Sequence, residues 1–157
     1  LSRGLGDVYK RQDYPLGMEH IKEYARRSIF YFAQYINFRH NYQETGKANG
    51  VDELGYFALY AMGDMYKLCG NYEKALDCGM KAEEFAPPRN EHIVLQAECY
   101  RDLQDYDSMK MQTDRLMDPD RKLPFPEFNF LLNMEHYNDS GKYCNQLNDF
   151  VLEKINK

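Results

Sequence analysis

This sequence predicts an all-α fold: an α-solenoid of stacked antiparallel helical hairpins winding as a right-handed superhelix. Three observations carry that expectation. A 34-residue unit, Tyr56 to Arg89, places two amphipathic segments on either side of a Gly70-Asn71-Tyr72 turn. Its aromatic, turn and small residues return 34 positions later, and more faintly after a further 37. Upstream, Gly17 to Gln43 holds no proline and no internal glycine and is apolar at helical spacing.

The opening Leu1 to Gln12 differs in texture from the rest of the chain. Asp7 to Gln12, DVYKRQ, resembles the translated end of a transposon used to fragment DNA for sequencing, so residues 1–12 read as a non-native segment. A disordered native terminus fits the same residues. On the first reading the natural protein begins upstream and this chain is a fragment, and on either reading Gly4 and Gly6 are not a phosphate loop.

Residues 13–54 form an N-terminal helical region. Ala25, Ile29, Phe32 and Ile36 make one apolar stripe and Tyr31, Tyr35, Phe38 and Tyr42 another, which predicts a helix sandwiched between neighbours. Either it is one long helix, or it breaks near Arg27, since Asp13-Tyr14 and Asn41-Tyr42 echo the later turn dipeptide. Glu44 to Asp52, with Gly46 and Gly50, reads as the clearest loop.

Residues 55–157 divide into three hairpins, at 56–89, 90–123 and 126–157. In the second, Ala97 stands for Gly63, Tyr100 for Tyr66 and Asp105-Tyr106 for Asn71-Tyr72, and Pro119 and Pro124 end its second helix. In the third, Tyr137 and Gly141-Lys142-Tyr143 take the aromatic and turn positions. Met109 and Gln146 replace Ala75, and Leu116 and Glu153 replace Ala82. Larger side chains at these close-approach positions predict looser packing. The 34-residue period with these small and aromatic residues resembles the tetratricopeptide repeat, whose stacked hairpins form binding surfaces.

Hydrophobic residues at 43% and charged ones at 29% exclude a disordered chain, and a net charge of −5 without a basic patch argues against nucleic acid. No apolar run is long enough to span a bilayer. Cys69, Cys78, Cys99 and Cys144 form no Cys-x-x-Cys pair, so they read as small apolar residues within helices of a reduced, cytoplasmic protein rather than a metal site. The sequence has no nucleophile elbow, phosphate loop, dinucleotide glycine signature or zinc-protease motif. The expectation is a chain that is not an enzyme, with no catalytic residue, no cofactor and no metal. His20, His40, His92 and His136 read as surface or core-edge residues, and Asp118-Pro119-Asp120 as a link rather than a metal pair.

In a stacked array the first helix of each hairpin lines the concave wall. The wall residues are then Phe57, Tyr60, Asp64 and Lys67; Glu91, Val94, Glu98 and Arg101; and Phe128, Leu131, Glu135 and Asn138. A groove alternating aromatic and acidic groups is expected to prefer an extended or helical segment carrying basic and apolar residues, and the same carboxylates equally fit a solvated helix face. Tyr60 and Asp64 stand where some tetratricopeptide co-chaperones place a cation and an amide, so capture of a terminal carboxylate is disfavoured. Replacing Phe57, Tyr60 and Phe128 together is expected to abolish binding without unfolding the array. Uncapped ends are expected to permit a homodimer, with Phe150, Val151 and Ile155 as contact candidates.

A second resemblance covers Arg27 to Arg101. RSIFYFAQY (Arg27 to Tyr35), YFALYAMG (Tyr56 to Gly63) and AEEFAPPRNE (Ala82 to Glu91) are similar to the helical segment that follows the catalytic domain in some family-2-like glycosyltransferases. Two function classes are therefore in play. One is a non-catalytic scaffold for protein–protein interaction. The alternative is an accessory C-terminal region of a glycosyltransferase, whose nucleotide-sugar domain is absent from these residues.

Overall fold

The computed structural model describes residues 15–44, 53–87, 89–121 and 140–157, apart from the side chains of 15–18, 39, 40, 42–44, 53 and 140. All regular structure in them is helical: α1 (Pro15–Glu44), α2 (Glu53–Leu68), α3 (Tyr72–Phe85), α4 (Glu91–Asp102), α5 (Tyr106–Met117) and α6 (Ser140–Ile155). Successive helices pack on one another, and α2 also touches α4 as α4 touches α6.

α1 is one unbroken helix of 30 residues, so the turn-like echo at Asn41 does not mark a hairpin. It runs opposite to α2. The Lys22 carbonyl lies 3.9 Å from Cys69 Sγ at the far end of α2, while Ile36 joins the cluster around Tyr56 at the near end. The stripe of Ala25, Ile29 and Phe32 meets Met65, Leu68 and Cys69 as expected. The second stripe does not find a neighbour among the described residues: Tyr31 is 68% exposed and Phe38 63%, with Tyr35 half-buried. Tyr42's side chain lies outside those described. Among the described residues the expected sandwich is thus one-sided, with a packing helix on the α2 face of α1.

The first two hairpins repeat atom for atom at the turn. The Gly70 and Gln104 amides bond to the Lys67 and Arg101 carbonyls, and those of Asn71 and Asp105 to Tyr66 and Tyr100. Asn71 then caps α3 by accepting from the Lys74 amide, as Asp105 caps α5 by accepting from Ser108. The turn needs a left-handed residue, with φ 76° at Gly70 and 59° at Gln104. Glycine adopts that backbone freely, and Gln104 holds it without that freedom.

The third unit departs from this pattern. α6 starts at Ser140, so Gly141-Lys142-Tyr143 sits in its first turn rather than in an interhelical turn. Lys142, unlike Asn71 and Asp105, offers no acceptor to cap a helix at Tyr143. The buried stripe of α6 is Cys144, Leu147 and Val151, 35 positions after Met109, Gln112 and Leu116, while Gln146 and Glu153 face solvent. Tyr137 lies outside the described residues. Pro119 follows the end of α5 as expected, and Pro124 is outside them.

Two apolar clusters share α4. One joins Tyr56, Leu59, Ala75, Ala82, Leu95 and Cys99; the other joins Ile93, Val94, Ala97, Met109, Leu116 and Val151. Every residue from Glu91 to Cys99 is buried, so α4 is enclosed on all sides. The close approach of α2 depends on Gly63, where a Cβ would meet Leu95 Cδ2 at 2.6 Å and Cys78 Cβ at 3.1 Å. Met109 and Leu116 are as buried as the alanines they replace.

Candidate functional site

The predicted wall residues do come together, but as an interior. Phe57 is 8% exposed, Tyr60 and Glu91 are each 1%, and Asp64 and Val94 are fully buried. Phe128, Leu131, Glu135 and Asn138 lie outside the described residues. Phe57 and Tyr60 belong to the core around Tyr56 and Leu95, so the expectation that they can be removed without unfolding is corrected. Truncating a buried aromatic costs about 3–5 kcal/mol.

Four of the charged wall residues, Asp64, Lys67, Glu98 and Arg101, are joined to each other. Lys67 Nζ stands 3.5 Å from Asp64 and 3.3 Å from Glu98, tying α2 to α4. The Tyr143 hydroxyl donates to Glu98 at 2.8 Å, bringing in α6, and Arg101 approaches Glu98 at 4.0 Å. Burial would drag the Lys67 ammonium down, but the carboxylates of Glu98 and Asp64 outweigh it and hold it well above its usual value. Burial likewise raises Glu98, yet Lys67, the Tyr143 hydroxyl and Arg101 together keep it below the ordinary carboxylate range. Lys67 and Glu98 therefore stay charged at neutral pH, and the cluster is a joint between three helices.

A second polar cluster lies at the junction of α2 and α4. The Tyr56 hydroxyl accepts from the His92 amide at 2.8 Å and lies 3.0 Å from both Glu91 Oε2 and His92 Nδ1. Arg89 pairs with Glu91 at 2.8 Å and covers the Phe57 ring at 4.6 Å. The Arg89-Asn90-Glu91 link that ends the AEEFAPPRNE stretch therefore folds into a buried ion pair. Arg121 bonds the Asn90 side chain and the carbonyls of Pro87 and Arg89, fastening the link from outside.

Tyrosine, histidine and carboxylate in mutual contact look catalytic on paper. Burial and the adjacent Glu91 charge push the Tyr56 phenol well up, and burial with Arg115 and Arg121 lowers His92 to about 3. Neither group exchanges a proton near neutral pH, and Tyr56 and His92 expose no surface to a substrate. This cluster is not evident in the sequence, where the histidines read as surface or core-edge residues. The signal for it was His92 at the start of a helix just after an Arg-x-Glu link. His20 is exposed, while the His40 side chain and His136 fall outside those described.

Cys78, Cys99 and Cys144 are buried in helices with thiols pushed up to about 12 by burial, consistent with packing roles. Cys69 falls in the turn after α2 instead of within the helix. Among the described residues no group of histidines, cysteines and carboxylates could hold a metal, and Asp118 spends its side chain on the Asp120 amide.

Among the described residues, the outer face of α1 is open to a ligand. Tyr24, Phe30, Tyr31 and Phe38 are 56–68% exposed, as is Leu54 at the start of α2. Beside them a groove of about 390 Å³ runs between the helices, lined by Ser28, Tyr31, Phe32, Tyr35, Leu54, Phe57 and Ala58. Of the predicted wall residues that are described, Phe57 lines it. Compared with protein-family models, curated proteins and solved structures, the chain matches nothing. No described helix is long and apolar enough to cross a membrane.

Proposed function

We propose that the chain is a non-catalytic scaffold of tetratricopeptide-like hairpins that engages another polypeptide. One observation carries this: the broad aromatic face of α1 with its adjoining apolar groove, on a molecule whose described wall charges pair with one another. The acidic wall that favoured a basic segment is closed by Lys67 and Arg101, so apolar contact rather than charge selects the partner.

A photo-crosslinking residue at Tyr31, in cells producing the full chain, tests the reading. An adduct with a polypeptide is expected at Tyr31 and not at Lys81, an exposed control on α3. Absence of any adduct at Tyr31, or equal labelling at both sites, would overturn it.

A further inference from the structure

We infer that the aromatic face of α1 is a self-association surface, on which a second copy of this chain packs with its α1 antiparallel. This rests on the scaffold reading and names the partner of that face. The spacing on α1 points there. Tyr24, Tyr31 and Phe38 recur every seven residues, and His20, Arg27, Gln34 and Asn41 between and beyond them are also exposed. The result is a continuous stripe along the helix, drifting only about 20° per seven residues.

The stripe is self-complementary about a two-fold axis through Tyr31. That axis sets Tyr31 against its own copy and Tyr24 against Phe38 of the other protomer, so each aromatic meets an aromatic. Arg27 then faces Tyr35 of the other chain, a cation over a ring, whereas a parallel pairing would set Arg27 against itself. The groove lined by Ser28, Tyr31, Phe32 and Tyr35 lies at the same axis and receives the opposite Tyr31 ring. Phe30 already braces Tyr31 edge-on, with ring centroids 5.6 Å apart, so the central residue is held ready.

The area is adequate. At these exposures the four aromatics offer roughly 100–150 Å² each, on the order of 500 Å² per protomer, taking 150–250 Å² for a whole aromatic side chain. Leu54 and the groove walls bring this toward the ~800 Å² that each side of a standard interface buries. Arg26 and Arg27 share Glu23 on the same helix, so this stretch carries one surplus positive charge, and the antiparallel pairing sets Arg27 of each chain over a ring rather than against its own copy. The face is on α1, not at the other end of the stack. There Val151 is fully buried and Phe150 packs on Tyr106, leaving Ile155 exposed.

Sedimentation of the full chain across a dilution series tests this. A mass twice 18.7 kDa is expected at high concentration, halving on dilution. Tyr24→Lys and Phe38→Glu alone each give a monomer with unchanged helical circular dichroism, and mixing the two restores the dimer through a Lys–Glu pair across the axis. A wild-type chain that stays at 18.7 kDa throughout, or a mixture that stays monomeric, overturns the proposal. A monomer that still crosslinks another polypeptide at Tyr31 removes the second copy and leaves the scaffold reading standing.

Discussion

Among the described residues, acid should destabilise this protein first through a single histidine, before the carboxylates contribute. His92 is fully buried, its Nδ1 against the Tyr56 hydroxyl and its Nε2 3.7 Å from Glu83. Glu83 is itself engaged by Arg115, and that guanidinium and Arg121 reinforce burial in lowering the imidazole from 6.5 to about 3. The unfolded chain therefore takes up a proton near pH 6.5 that the folded chain refuses until about pH 3. The stabilisation is complete above 6.5 and is lost as pH falls through that window. Linkage gives about 1.4 kcal/mol for each pH unit, so roughly 2 kcal/mol is lost by about pH 5. Glu98, whose carboxyl is lowered, contributes its own loss only below about 4.5. Urea unfolding followed by circular dichroism at pH 7 and pH 5 reads the difference directly. His92→Gln should be less stable at pH 7 and should lose most of the slope between the two. A wild-type stability that is flat from pH 7 to 5, or a slope that survives His92→Gln, would refute the assignment.

Two further perturbations probe the packing. Gly63→Ala should destabilise by about 1–2 kcal/mol in chemical denaturation, since the new methyl meets Leu95 and the rigid Cys78 Cβ, and the gain in helix propensity offsets only part of this. Unchanged or raised stability would mean α2 does not depend on that approach. Lys67→Met should cost about 3–5 kcal/mol by leaving the buried carboxylates of Asp64 and Glu98 without their shared cation. The cost should shrink when Glu98→Gln is made as well, and purely additive losses would show that the two do not act as a pair.

Much of the architecture was legible because it is written in local chemistry. Asn71 and Asp105 both carry a capping oxygen, Gly70 tolerates a left-handed turn, and Gly63 and Ala75 leave room for a crossing helix. Each requirement is met within a few residues, so it survives as a spacing. The third unit misleads for the same reason. Gly141 and Tyr143 match the motif, but without a capping residue at 142 the helix starts earlier and its buried face shifts.

The candidate site was hidden because burial is not a local property. Glu91, Glu98 and Asp64 have the composition of a solvated wall, and only the packing of α4 between α2, α3, α5 and α6 turns them inward. The two stripes of α1 were visible, yet nothing in their residues says which one α2 covers. By itself the sequence determined the helices, their turns and the 34-residue repeat of the first two hairpins, since backbone hydrogen bonding and capping act over a few residues. The tertiary structure alone decided that the acidic wall closes on its own cations and that an aromatic face stays open, because both depend on which surfaces meet across the stack.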